Sequence, residues 1–214
     1  MSEASLRQSV VDHCRKLNET GINQGTSGNI SVRCRDGMLI SPSGMPYDQM
    51  RAEHVVFADF DGRYQGGTKP STEWRFHADI FRTRPETQAV VHAHPTYCTV
   101  LAIRRLDIPP LHYMVAAAGG SNIRCADYAT FGTSQLSRNA LAALEGRDAC
   151  LLANHGMIAI GSSLAKALWL AVEVEALARQ YVISMQIGGP ELLSEAEIQR
   201  VLEKFRHYGY RAER

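Results

Sequence analysis

The stretch AVVHAHPTYC (89–98) places two histidines, His92 and His94, one residue apart. In a strand, residues two apart point to the same side, so both imidazoles share a face. Two such imidazoles can hold one divalent metal. Pro95 ends the strand and suits the first turn of a helix. The end of a strand is also where α/β folds tend to place their chemistry. Taken alone, a His-x-His pair more often means two partly buried or surface histidines. A third, His155, lies in Asn154-His155-Gly156 between two apolar runs. Alone it too reads as a hydrogen-bonded core residue, but three histidines leave zinc an open position, the pattern of catalytic sites. Together they favour metal binding over packing. Glu73 opens a predicted helix. It is either a favourable contact with the helix dipole or a general base beside the metal, able to bind it when substrate is absent. His77 lies four residues on, on the same helical face, and reads as structural.

Three stretches share a second kind of chemistry: Thr26-Ser27-Gly28-Asn29, Ser43-Gly44 and Ser71-Thr72. Each offers hydroxyls or free backbone N–H groups near a turn or helix start, which can cradle phosphate without a basic residue. Any one of them is an ordinary turn. Three in one chain, beside a metal and a base, suggest a phosphorylated substrate. Tyr113 in LHYMVAAAGG and Tyr208 near the C-terminus are accounted for by packing alone.

These residues need positioning elements. Helical periodicity predicts helices over 5–20, 96–103, 134–144, 164–186 and 194–208, with Ser194 and Glu197 as a capping box. A further helix should run from about 73 to 83, capped by Ser71 or Thr72. Strands are expected at 30–34 and 38–41, paired across Arg35-Asp36-Gly37, and at 55–59 and 63–65 around Asp61-Gly62. The histidine strand, an apolar strand over 111–118 and the pair 150–153 and 157–160 complete the set. The expectation is a single α/β domain over residues 1–214, with a central, mostly antiparallel sheet covered by helices on both faces.

Composition narrows the function classes. The chain has 214 residues and a net charge of +1, giving no electrostatic footprint for nucleic acid or an anionic membrane. Five scattered cysteines form no Cys-x-x-Cys pair, which fits a reducing cytoplasm rather than a disulfide framework. The N-terminus does not read as a signal peptide. The most apolar run, 164–183, is interrupted by Lys166, Glu173, Glu175 and Arg179 and reads as a buried helix rather than a membrane span. The four lysines, Lys16, Lys69, Lys166 and Lys204, lie outside every motif above. That argues against a Schiff-base mechanism, which needs a lysine in the pocket.

The segments NQGTSGNISVR, DGMLISPSGMPY, STEWRFH, VVHAH, PPLHYMVAAAGG, YATFGT, NHG, KALWLAVEVEALA and VLEKFRHYG together resemble the class II, metal-dependent aldolases of the aldolase/epimerase superfamily. The resemblance runs essentially end to end, and HYMVAAAGG and YATFGT point to its fuculose-phosphate branch. It implies one zinc per subunit held by His92, His94 and His155, with Glu73 near or on the metal. It implies phosphate held by Thr26, Asn29, Ser43, Gly44, Ser71 and Thr72, although Thr72 stands where a serine is expected. It assigns Tyr113 as proton donor and acceptor on the aldehyde side, and Phe131 and Tyr208 as closing that side. Tyr210 is the other tyrosine at that end. In such enzymes the tyrosines come from a neighbouring subunit of a homotetramer, so the site spans an interface. The implied reaction is reversible cleavage of L-fuculose 1-phosphate to dihydroxyacetone phosphate and L-lactaldehyde through a zinc-stabilised enediolate. Alternatives on the same scaffold are an aldolase for another ketose phosphate, such as 5-deoxyribulose 1-phosphate, and a pentulose-phosphate 4-epimerase. A non-catalytic interaction domain like the adducin head predicts loss of the metal set, which is complete here.

Overall fold

The side chains of the histidine strand alternate between two cores, and the whole fold follows from that alternation. The computed structural model describes residues 2–207. In β4 (Ala89–Ala93) every residue is buried. Ala89, Val91 and Ala93 feed one apolar cluster and Val90 the other, as period-two geometry requires. β6 (Ala149–Leu152) and β7 (Gly156–Gly161) divide in the same way. Ala149, Leu151, Met157 and Ala159 face one side. Cys150, Leu152, Ile158 and Ile160 face the other. Strands buried on both faces need helices on both.

One cluster is closed by α1 (Glu3–Glu19), α3 (Thr96–Ile103) and α5 (Leu164–Gln186). The other is closed by α2 (Trp74–Thr83) and α4 (Ser134–Ala143). The sheet has seven strands in the order β3-β2-β1-β4-β7-β6-β5. Its outer members are β1 (Asn29–Cys34), β2 (Gly37–Ile40), β3 (Val56–Asp59) and β5 (Cys125–Ala126). All neighbours are antiparallel except β5 and β6. The expected α/β architecture is therefore the observed one. Among the described residues no helix is long and apolar enough to cross a membrane.

Three local expectations change. The apolar run expected as a strand over 111–118 is a 3-10 turn, Tyr113–Ala118. It is apolar because it lies between α5 and α6 (Glu195–His207), where Ala116 packs on Ile198 and Val201. Its entry is set by the His112 side chain, which accepts the Met114 N–H at 3.2 Å. The strand expected at 63–65 is reduced to a single bridge between Ala58 and Tyr64, because Gly66 and Gly67 follow at once and the half-exposed Tyr64 has no core to enter. Finally, Glu73 itself is the N-cap of α2, with Ser71 Oγ accepting its backbone N–H at 3.2 Å. Tyr208 and Tyr210 lie outside the described residues.

Candidate metal centre

The three histidines converge although His94 lies one residue past the end of β4 and His155 lies in the turn between β6 and β7. Two backbone features bring them together. Asn154 adopts φ 54°, a left-handed conformation that asparagine tolerates better than most residues. Gly156 then lets β7 close on β4, where a Cβ would stand 2.4 Å from the Ala93 carbonyl oxygen and 2.6 Å from His94 Cδ2. The ring centroids of His92, His94 and His155 are mutually 4.8 Å apart, and one ligand nitrogen from each can fall within 4.8 Å of the others.

A hydrogen bond fixes the orientation of the His92 ring. Its Nδ1 donates to the Met157 carbonyl at 2.9 Å, which leaves the Nε2 lone pair free to bind a metal. That Nε2 lies 2.9 Å from His94 Nε2 and 3.2 Å from Glu73 Oε2. Burial depresses His94 to about 3, and the neighbouring His92 and His155 push the same way. Burial and His92 likewise take His155 to about 4. Imidazole nitrogens crowded this closely can be satisfied together by a cation standing between them.

Glu73 is buried, at 6% exposure. Burial works to raise its carboxyl, but the His92 and His155 imidazoles and the Asn29 amide hold it well below the ordinary carboxylate range. Oε2 accepts the Asn29 Nδ2–H at 3.0 Å. Oε1 lies 3.2 Å from His155 Nε2 but accepts no hydrogen bond among the described residues. A buried carboxylate oxygen without a donor is costly, and this one stands beside a nitrogen of the histidine cluster. The donor set and the orphaned oxygen both fit a divalent metal.

The three hydroxyl-rich stretches meet beside this cluster. The Ser43 N–H donates to the Lys69 carbonyl and the Ser71 N–H to the Ser41 carbonyl, both at 3.0 Å. Ser41 Oγ accepts the N–H of Ile30, next to Asn29, at 3.1 Å. Thr26, Ser43, Gly44 and Thr72 are exposed and Ser71 is buried. Asn29 differs from the group, because both ends of its amide are engaged, by Glu73 and by His77.

A cavity of about 320 Å3 opens onto Glu73, His94 and His155. Thr72 and Phe131 line it, and so do Ser27, Asn154 and Tyr128, of which Tyr128 carried no role in the residue pattern. Tyr128 and Phe131 are 53% and 62% exposed. Tyr113 is 49% exposed and lines a different groove with Lys166, Trp169 and Phe205. His77 is fully buried, and that burial drops it to about 3. Glu175 also went unread. From α5 it accepts the Tyr97 and Cys98 N–H groups at 2.9 and 2.8 Å, fastening α3 directly behind His94.

Residues 8–182 match the family described as Class II Aldolase and Adducin N-terminal domain. Over 212 residues the chain is 54% identical to the 5-methylthioribulose-1-phosphate/5-deoxyribulose-1-phosphate aldolase of Rhodospirillum rubrum, spanning 99% of this chain and 96% of that protein. It is 49% identical to the L-fuculose phosphate aldolase of Escherichia coli K12 over the full length of both. A solved L-fuculose 1-phosphate aldolase superimposes with a TM-score of 0.93 at 40% identity, covering 96% of this chain and 98% of the other. With this fold and this cluster, the chain belongs to the class II aldolase family and is an aldolase-type lyase.

Proposed function

We propose that the chain reversibly cleaves L-fuculose 1-phosphate to dihydroxyacetone phosphate and L-lactaldehyde, with zinc held by His92, His94 and His155 and by Glu73 in the resting state. The convergence of three imidazoles beside Glu73, whose Oε1 has no donor, carries this reading. The 49% identity to a fuculose-phosphate aldolase supports the substrate. A divalent metal bound there supplies Lewis-acid polarisation of the substrate's oxygens.

The chain's own residues supply the rest. The hydroxyl groups of Thr26, Ser43, Ser71 and Thr72 and the N–H of Gly44 hold the phosphate, and Asn29 holds the base. Glu73 Oε1 returns a proton to the carbon that loses its bond to the aldehyde, and removes it in the synthetic direction. Tyr113 takes the proton from the hydroxyl that becomes the aldehyde. Because Tyr113 lines a different groove of its own chain, it serves a neighbouring subunit's site within a homotetramer. Tyr208 and Phe131 close the aldehyde side.

The 54% relative favours a second reading, 5-methylthioribulose 1-phosphate or 5-deoxyribulose 1-phosphate as substrate. Both routes release dihydroxyacetone phosphate and differ only in the aldehyde. The deciding experiment couples dihydroxyacetone phosphate release to a dehydrogenase for all three ketose phosphates, before and after chelation and zinc readdition. Chelator-sensitive cleavage of L-fuculose 1-phosphate, restored by zinc, is the expected result. Cleavage confined to the five-carbon substrates selects the second reading, and no cleavage of any overturns both.

A further inference from the structure

Behind Glu73 runs a buried chain of side chains that reaches neither the cavity nor the three metal-facing nitrogens. Asn29 and Ser31 point to the same face of β1, and Glu73 and His77 stand one turn apart at the start of α2. Ser31 Oγ lies 2.6 Å from His77 Nδ1. His77 Nε2 lies 2.6 Å from Asn29 Oδ1. Asn29 Nδ2 lies 3.0 Å from Glu73 Oε2. All four residues are buried, Ser31 and His77 completely.

Only one order of donors satisfies this chain. A carboxylate can only accept, so the Asn29 amide must turn its N–H toward Glu73. Its carbonyl oxygen then faces His77, and His77 must donate from Nε2. Nδ1 keeps its lone pair and accepts the Ser31 hydroxyl proton. The imidazole cannot easily swivel out of this order, because Phe76 stacks on it at 4.6 Å and meets His92 edge-on at 5.4 Å. Reversing any link would set two acceptors against each other in a buried site, where an unmade hydrogen bond is expensive.

We propose that His77 is a positioning residue: it fixes the Asn29 amide so that Oε2 of Glu73 is tied down beside His92 while Oε1 is left without a donor beside His155. This rests on the metal reading given above. A histidine that merely filled the core would need a partner, but not one that selects which oxygen of the base is free. Outer partners of metal ligands typically govern affinity by 10–100-fold.

The test compares His77→Phe, which keeps the ring and removes the donor, with His77→Gln, which returns an N–H toward Asn29. Zinc affinity is measured by competition with a chromophoric chelator, alone and in an Asn29→Ala background. Nitrogen NMR of the metal-free wild type reads the tautomer. We expect a bare Nδ1 and protonated Nε2, zinc binding weakened about 10–100-fold in His77→Phe, most of it recovered in His77→Gln, and no further loss when His77→Phe is added to Asn29→Ala. Unchanged zinc affinity in His77→Phe, losses that add in the double variant, or a protonated Nδ1 each overturns the proposal. Should His77→Phe not fold, Ser31→Ala, which frees Nδ1, is read in its place by the same criteria. A wild-type protein that binds no zinc overturns the metal reading instead, while the nitrogen shifts, which need no metal, still decide the order of donors.

Discussion

Gly156 and His94 are packed so closely that a Cβ on the glycine would fall 2.6 Å from His94 Cδ2. Gly156→Ala must therefore push β7 away from the end of β4. The expected cost is about 1–3 kcal/mol of stability, as for overpacking elsewhere, together with a loss of zinc content out of proportion to it. Denaturant midpoints and metal analysis of the purified variant check both. Full zinc loading in Gly156→Ala would show that the close approach does not set the ligand spacing.

Glu73→Gln keeps the shape of the side chain and the Asn29 contact while removing the proton carrier. The protein should fold, bind zinc and lose exchange of deuterium into dihydroxyacetone phosphate by about 10²–10⁴-fold. Wild-type exchange rates in this variant would remove Glu73 as the base.

Bound metal should also show in stability. At a free zinc concentration 100 times Kd, linkage adds about 2.7 kcal/mol. For a domain of this size each kcal/mol moves Tm by about 2–4 °C. Chelation should thus lower Tm by about 5–10 °C and zinc should restore it. A Tm indifferent to both would mean that the cluster holds no metal.

The metal-free protein should be sensitive to acid. His77, His94 and His155 are held near 3, 3 and 4 by burial, against an ordinary value of about 6.5. As pH falls below about 6.5 the unfolded chain takes up protons at these positions and the folded chain does not. Stability is complete above that pH and is lost on the way down toward the folded values, at up to about 1.4 kcal/mol per pH unit for each group. Tm measured from pH 7.5 to 4.5 should fall, and His77→Gln should shallow the slope by about one proton. A flat profile would contradict the burial argument.

Glu175→Ala removes the acceptor for two α3 amides, at Tyr97 and Cys98. A loss of about 1.5–3 kcal/mol is expected for hydrogen bonds to a charged acceptor. Because α3 begins two residues after His94, amide exchange at its first turn should rise first. Exchange that rises uniformly across the chain would place the effect elsewhere.

The sequence showed most clearly what is periodic or local. The expected and observed bounds of the helix over 164–186 coincide because its apolar stripe is long, and Ser163 caps its start. His92, His94 and His155 could be grouped because zinc chemistry accepts imidazole from anywhere in a chain. What stayed hidden depends on contacts between distant segments. Asn29, Ser31 and Arg33 alternate with apolar residues, a pattern that does not say what covers their face. They lie beneath α2 and the loop after it, where Arg33 donates to the Phe81 and Arg84 carbonyls at 2.7 and 3.1 Å. Glu175 sits on a long helix like any solvated carboxylate, and only its partners 77 and 78 positions away give it a task. The apolar run at 111–118 misled for the same reason: burial against α5 and α6 leaves no period to read.

Residues 127–133 carry Tyr128 and Phe131 over the cavity, yet they belong to no strand or helix. Their attachments run mainly to their own neighbourhood. Asn139 of α4 donates to the Asp127 carbonyl at 3.0 Å, and Thr133 Oγ1 to the Thr130 carbonyl at 2.7 Å. The metal-facing residues hang from the middle of the sheet and from α2. Under the proposed function, substrate range and reaction chemistry would then sit on separate parts of the chain, the loop over the cavity and the cluster beneath it. Lineages sharing half their residues can diverge in the aldehyde they release while keeping the same carbon–carbon bond cleavage.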